Sequence, residues 1–333
     1  MLKVSVVVVT YNEEKNIEAC LRSLLAMDYK AEAYEILVVD GCSSDRTPAI
    51  VRKMAGISPK IRLRQNEART IATNRNMGIR EALHPYVAFT DADCTVPADW
   101  LRILAEAFQS AREECPDVAG VGGNNIPPGG DQNSFRCALG IMLNTFLGSL
   151  GSVQGKIYSR PRFVDSLACL NVMYEKKVLQ EAGLFDPDMK NQGEDAELHF
   201  RMRQAGHRLL YVPHSFVYHR LRSTPRKWFV NMFNYGQGRV VLFRKHPPLL
   251  GFRYVLPLVF PWPFLLPFLS GFFGPVMMLP LAYFPLMLLW SLFVSVKKRH
   301  PELALMVFFC YLITHWAFSL GMWKKLFSGD RTM

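Results

Sequence analysis

Four carboxylates and one imidazole stand out by type and spacing. Asp91 and Asp93 follow an apolar run, one residue apart and flanked by Thr90 and Cys94, so alternate side chains can aim two carboxylates at one point. Hard oxygen donors with open positions suit Mg2+ or Mn2+ bridged to a substrate's phosphates. Taken alone, the same acids would equally serve as a solvated turn and a helix cap. Glu194 and Asp195 open a segment in which Ala196, Leu198, Phe200 and Met202 alternate with polar residues. A carboxylate there that faced a pocket could act as general base. Acids in a first turn also complement the helix dipole, and spacing does not separate the two roles. His219 closes a strand-like run and is either a nitrogen ligand or an ordinary polar strand residue.

These side chains can meet only if a scaffold gathers them. The run 3–9 is continuous and β-branched, as in a strand buried on both faces of a parallel sheet. After the turn at 10–12, Ile17, Cys20, Leu21, Leu24 and Leu25 recur at helical spacing. Strands are then predicted at 35–39, 61–64, 86–89 and 118–121, and helices at 45–55 and 68–83, with Pro97 opening another. Alternation of this kind predicts a doubly wound α/β sheet, whose ligands sit at the carboxyl ends of the strands. Thr10-Tyr11-Asn12, Asp40-Gly41 and Asp91-Ala92-Asp93 fall on that rim. Neither GxGxxG nor GxxxxGK[ST] follows these strands, which excludes a dinucleotide fingerprint and a P-loop. Further on, an apolar stretch at 135–150, a strand-like 167–173, a helix at 194–204 and strands at 209–212 and 216–219 are expected.

The succession Val-Ser-Val-Val-Val-Val-Thr-Tyr-Asn-Glu-Glu (4–14), Leu-Val-Val-Asp-Gly-Cys-Ser-Ser-Asp (37–45), Asn-Arg-Asn-Met-Gly (74–78), Phe-Thr-Asp-Ala-Asp (89–93) and Gly-Glu-Asp-Ala-Glu-Leu (193–198) resembles the family 2 glycosyltransferases of GT-A fold. With His-Arg-Leu-Arg-Ser (219–223) and Tyr-Gly-Gln-Gly-Arg (235–239), it is similar to their succinoglycan-biosynthesis type. The resemblance implies that Thr10, Tyr11, Asn12 and Glu13 line a nucleotide pocket and that Asp40 hydrogen-bonds the base. It places Arg75 and Asn76 near the nucleotide, Asp91 at the ribose or metal, Asp93 on the metal, and Asp195 as catalytic base. His219 would be a further metal ligand, and Glu194, Arg220, Arg222, Gln237 and Arg239 would meet the acceptor or a lipid phosphate. The implied activity is inverting transfer of one sugar from a nucleotide-diphospho-sugar, UDP ahead of GDP, to a polyprenyl-linked saccharide, with Mn2+ or Mg2+. A polyprenyl-phosphate acceptor and a non-catalytic nucleotide-sugar-binding scaffold are the alternatives. The Gln-x-x-Arg-Trp motif of processive relatives is absent, which favours single-sugar transfer.

Of the 333 residues, 50% are hydrophobic and 20% charged, which excludes a disordered chain. The net charge of +11 divides into +6 up to residue 250 and +5 beyond it, and suits anionic partners. Its concentration near an apolar tail points to nucleotide phosphates and a membrane face, not to nucleic acid. Apolar segments at 254–272, 275–296 and 302–323 are each near the ~20 residues of a spanning helix. The first carries four prolines (Pro257, Pro261, Pro263, Pro267) and reads as kinked or re-entrant. From 225 to 246, Trp228, Phe229, Met232, Phe233, Gly236, Val240 and Phe243 share one helical arc, which predicts an interfacial amphipathic helix. The expected organisation is a GT-A domain over 1–222, an interfacial linker over 223–250, transmembrane segments over 251–325 and a short tail. Because Val4 to Val9 is too short an apolar run for a signal peptide, the catalytic domain is expected on the cytoplasmic side of a multi-pass plasma-membrane protein. Seven scattered cysteines without a CxxC pair agree with a reducing compartment.

Overall fold

The structure is a computed structural model that describes residues 1–128, 133–150, 152, 157–189, 192–260, 264 and 278–328. Two compact units divide the chain: Met1–Pro128 with Ile157–Arg220, and Gly129–Lys156 with Leu221–Met333.

In the first unit, nine strands among the described residues form one sheet. They are β1 (Val4–Thr10), β2 (Tyr34–Asp40), β3 (Ile61–Gln65), β4 (Tyr86–Asp91), β5 (Cys94–Thr95), β6 (Val118–Ile126), β7 (Arg162–Val164), β8 (Val172–Glu175) and β9 (Arg208–His219). The order is β3-β2-β1-β4-β8-β6-β9-β5, with β7 beside β9. The pairs among β1 to β4 are parallel, whereas β8 runs antiparallel to both of its neighbours. Every residue of β1 and β2 is buried, which is why these strands are uninterrupted apolar runs instead of alternating ones.

The helices of this unit are α1 (Ile17–Leu25), α2 (Thr47–Ile57), α3 (Ile71–Glu81) and α4 (Trp100–Glu114), followed later by α7 (Lys176–Glu181) and α8 (Glu194–Gln204). Ile17, Cys20, Leu21 and Leu24 of α1 join Trp100, Leu101, Leu104 and Phe108 of α4 in the main core on β1 and β2. The expected start at Pro97 is corrected: α4 begins at Trp100, whose amide bonds the Pro97 carbonyl at 3.1 Å in a turn before the helix. Two expected strands, 209–212 and 216–219, are one bulged strand, β9. The strand expected at 167–173 is displaced to β8, Val172–Glu175, and Asn171 before it serves as a tie: it accepts from Trp100 Nε1 at 2.8 Å and donates to the Asn124 carbonyl at 2.8 Å.

One buried network behind the sheet is testable. Glu35, at the start of β2, accepts from the Ser5 hydroxyl at 2.6 Å, the Leu83 amide at 2.7 Å and Arg62 at 2.6 Å. Burial alone would raise this carboxyl, but the three donors hold it below its ordinary value of 4.5. A depressed folded-state value contributes stability that is present above the unfolded value and lost as pH falls through the folded one. Thermal melts of wild type and Glu35→Gln should therefore differ near neutrality and converge below about pH 4.5. A gap that persists unchanged in acid would reject this.

The second unit holds α5 (Ser134–Leu143), α6 (Phe146–Ser149), α9 (Pro225–Lys245), α10 (Phe252–Val259), α11 (Met278–Lys297) and α12 (Ala304–Phe327). Phe135, Ala138, Leu139 and Met142 of α5 pack with Val307, Cys310 and Tyr311 of α12 and with Met287 and Val294 of α11. His315, on α12, is tied to Tyr283 Oη at 2.8 Å and to the Leu147 carbonyl at 3.1 Å. Of the three expected spans, the last lies in a helix, Pro301–Phe327, whose 27 residues are long and apolar enough to cross a membrane. The apolar stretch Ala282–Lys297 of the second is shorter. Most of the first, and the start of the second, fall outside the described residues. The multi-pass expectation is therefore not supported: among the described residues one helix is long and apolar enough to cross a membrane.

Candidate active site

Parallel register brings the motifs of the first unit to one rim. Thr10 pairs with Asp40 across β1 and β2, and Val9 pairs with Asp91 across β1 and β4. Beyond Thr10 the chain turns through Asn12 in the left-handed region (φ 54°), a conformation that asparagine tolerates through local hydrogen bonds. The Asn12 side-chain oxygen accepts from the Ser44 amide at 2.8 Å, and its own amide donates to Ser43 Oγ at 2.8 Å. Ser43 in turn donates its amide and hydroxyl to the two carboxylate oxygens of Asp40, at 3.0 and 2.5 Å. Asp40 is therefore wholly buried with a bond on each oxygen, and a nucleobase would meet only its remaining lone pairs. Tyr11 is half exposed, a free ring at the rim, and Glu13 accepts from Asn16 Nδ2 at 2.6 Å.

Two residues here were missed from the sequence. Ser43 was quoted only as part of a motif. Arg69 carries φ 57° and is exposed, and a Cβ on Gly41 would stand 3.7 Å from its Cα and 3.0 Å from Asn74 Nδ2. A positive φ on a non-glycine residue was the available signal, and it is invisible before folding.

Arg75 joins the two acidic motifs. Its guanidinium, 5% exposed, lies 2.6 Å from Glu194 Oε1 and 3.5 Å from Asp91 Oδ1, and stacks 5.5 Å from the Phe185 ring centroid. Burial works against its charge, but the surrounding anionic groups, Glu194, Asp91 and Asp195 among them, more than offset that and hold it protonated. Asp91 is pushed above the ordinary carboxylate range, first by enclosure in protein; Arg75 opposes this and Asp93 adds to it. Asn76, expected beside the nucleotide, does something else. Its Nδ2 donates to the Phe185 carbonyl at 2.7 Å and its Oδ1 accepts the Phe185 amide at 2.8 Å, so both polar atoms fix the loop ahead of α8. Glu194, expected toward the acceptor or a lipid phosphate, is buried and paired with Arg75.

Asp195 follows in the first turn of α8, after Gly193 at φ 86°. It is partly exposed, and its Oδ1 accepts from the Ala196 amide at 2.7 Å. Its helix is fixed from below. Buried His199 meets Ser166 Oγ at Nδ1 (2.9 Å) and Tyr174 Oη at Nε2 (2.5 Å). Burial, then the nearby Arg203 and Arg75, lowers it to about 3, so it stays neutral and serves as a strut. Arg201 pairs with Glu197 at 2.6 Å and donates to the carbonyls of Ala182 and Leu184, tying α8 to the loop that Asn76 also holds.

Pairing of β5 with β9 sets Cys94 opposite His219, and His219 Nε2 lies 3.3 Å from Asp93 Oδ2. Asp91, Asp93 and His219 thus supply two hard carboxylates and an imidazole, a donor set that suits Mn2+ or Mg2+. Among the described residues, however, no three His, Cys, Asp or Glu side chains, these included, stand together as a group that could hold a metal ion, so the expected metal site rests on residue type and on the Asp93–His219 contact. Of the remaining expected residues, exposed Arg220 ends the first unit. Arg222, Gln237 and Arg239 belong to the second, where Gln237 donates to Asn234 at 3.3 Å and Arg239 stacks 4.4 Å from the Tyr254 ring.

A mixed sheet with acidic loops at the carboxyl ends of β1, β2 and β4, and a further acid pair opening α8, is the GT-A fold of glycosyltransferases. The model of glycosyl transferase family 2 matches residues 5–152, and that of glycosyl transferase family group 2 matches residues 86–323. The chain belongs to the family 2 glycosyltransferases and is a transferase. It is 28% identical over 334 residues to dolichyl N-acetyl-alpha-D-glucosaminyl phosphate 3-beta-D-2,3-diacetamido-2,3-dideoxy-beta-D-glucuronosyltransferase of Methanococcus voltae, covering 99% of this chain and 98% of that one. To succinoglycan biosynthesis protein ExoA of Rhizobium meliloti it is 26% identical over 331 residues, with 96% and 94% covered. Among solved structures, the mannosyltransferase PcManGT from Pyrobaculum calidifontis, in complex with GDP-Man and Mn2+, superposes with a TM-score of 0.67 at 21% identity, over 99% of this chain and 88% of that one.

Proposed function

We propose that the protein is a membrane-bound, inverting glycosyltransferase that moves one sugar from a nucleotide-diphospho-sugar, UDP-linked ahead of GDP-linked, to a polyprenyl-linked saccharide in the building of a surface glycan. The observation that carries this reading is the Asp91–Arg75–Glu194 cluster. It holds the acid at the donor end of β4 and the acid pair opening α8 in one fixed relation, as a single displacement at an anomeric carbon requires. Thr10, Tyr11, Asn12, Glu13 and Asp40 would form the nucleotide rim, with Arg69 beside them. Asp91, Asp93 and His219 would hold the divalent cation, which neutralises charge on the departing diphosphate when bound. Asp195 would take the proton of the acceptor hydroxyl as its oxygen attacks the face opposite the leaving group. That attack inverts configuration and needs no covalent intermediate. The Methanococcus relative is named for transfer to a dolichyl phosphate-linked sugar, which supports the lipid-linked acceptor.

The test is transfer by membranes holding the full chain, with a panel of UDP- and GDP-sugars and a lipid-linked oligosaccharide acceptor. One donor should be consumed with Mn2+ or Mg2+, chelation should abolish transfer until metal is restored, and Asp93→Ala should be silent. NMR of the product should show an anomeric configuration opposite to that of the donor. Nucleotide binding without turnover of any donor would instead support the binding scaffold.

A further inference from the structure

We propose that α12, although long and apolar enough to cross a bilayer, lies along one leaflet of an anionic membrane with both ends on its cytoplasmic face. The proposal rests on the membrane-bound reading above and goes beyond it in assigning a topology. Its basis is the helix that accompanies α12. α9 runs beside the second half of α12 in the same direction: Trp228 Nε1 donates to Thr314 Oγ1 at 2.8 Å, Val240 and Phe243 cluster with Met322, and Arg244 Nη2 reaches the carbonyls of Lys325 and Leu326 at 3.2 and 3.1 Å. The two backbones touch. A Cβ on Gly321 would stand 2.0 Å from the Phe233 carbonyl oxygen, and one on Gly236 would stand 2.1 Å from that of Phe318. Neither lipid nor another helix fits between them.

What surrounds α12 must therefore suit α9 as well. α9 carries Arg226, Lys227, Asn231, Asn234, Gln237 and Arg244, and of these both arginines, Lys227 and Asn234 are exposed. To carry α12 through the hydrocarbon core would carry exposed Arg226 and Lys227, which open α9 just before Trp228, to the level of Thr314 in the middle of α12. The outer face of α12 shows the complementary pattern. Leu305, Met306, Phe309, Leu320, Leu326 and Phe327 are exposed and fall on one side of the helix, so that side can sink into acyl chains while α9 stays in the headgroup layer. Basic side chains bracket this side, with Lys297, Lys298 and Arg299 before it and Lys324 near its end, matching anionic headgroups at both ends. A crossing would put one of these groups on the outer face against the positive-inside preference. A helix lying in the leaflet keeps both inside.

Wild-type chain is sufficient for the test, because Lys298 and Lys324 are both exposed. Sealed right-side-out and inverted vesicles from a bacterial host would be treated with a membrane-impermeant amine-acylating reagent, and the two lysines read by peptide mass spectrometry. The expected result is acylation of both in inverted vesicles and of neither in right-side-out ones. Acylation of the two from opposite faces, or of both from the outer face, overturns the proposal. Flotation with phosphatidylglycerol-containing liposomes separates this from failure of the membrane reading. A chain that stays at the bottom of the gradient was never membrane-bound, whereas one that floats with its two lysines on opposite faces is membrane-bound and crosses.

Discussion

Asp195→Asn should lower transferase turnover by about 10²–10⁴-fold, the usual contribution of a positioned general base, while leaving nucleotide affinity and folding close to wild type. Asparagine keeps the size of the side chain and its oxygen acceptor, so the bond from the Ala196 amide survives and α8 starts as before. Only proton acceptance is lost. Arg75 keeps its direct ion-pair partners, Glu194 and Asp91, so the buried cation is not stranded. Steady-state rates with calorimetric titration of the nucleotide decide the matter. A variant with unchanged turnover removes Asp195 as base, and one that also loses nucleotide binding moves it to the donor site.

Much of this site was legible in the sequence because it depends on strand ends, and strand ends are local. The runs ending at Thr10, Asp40 and Asp91 are largely apolar up to a polar last residue, and the boundaries of β1, β2 and β4 fall there. α8 was also readable to the residue, since Gly193 and the three acids of its first turn mark the start and Gly206 lies just past its end. What could not be read is where polar side chains spend their hydrogen bonds across long sequence separations. Asn76 bonds Phe185, 109 positions away, and Glu194 bonds Arg75 across 119, ties that no local pattern announces. The helix expected over 225–246 forms as α9, but Phe229 of its apolar arc is exposed while Val241 and Leu242 outside the arc are buried, because a pattern does not name its partner. Gly236 and Gly321, unremarkable in the sequence, let α12 take that face at backbone contact.

Arg75→Met should cost about 3–5 kcal/mol of stability in addition to activity, because it strands the Glu194 carboxylate, whose side chain is 9% exposed, without its cation. Methionine fills similar volume against Phe185, so the loss would be electrostatic instead of a cavity. The double variant Arg75→Met with Glu194→Gln separates the two effects. Neutralising the stranded acid should return most of the stability, seen as recovery of the thermal midpoint in detergent. It should not return activity, because Asp91, already raised by enclosure and by Asp93, loses the guanidinium that opposes the rise and is held as an anion less readily. Arg75→Lys tests geometry at constant charge: one ammonium cannot reproduce the guanidinium's two-sided contact with Asp91 and Glu194, so stability should fall less than with methionine while turnover stays low. Recovery of both stability and turnover in the double variant would show that Arg75 only neutralises Glu194. Recovery of stability alone would show that it positions the donor-side and acceptor-side acids for one reaction.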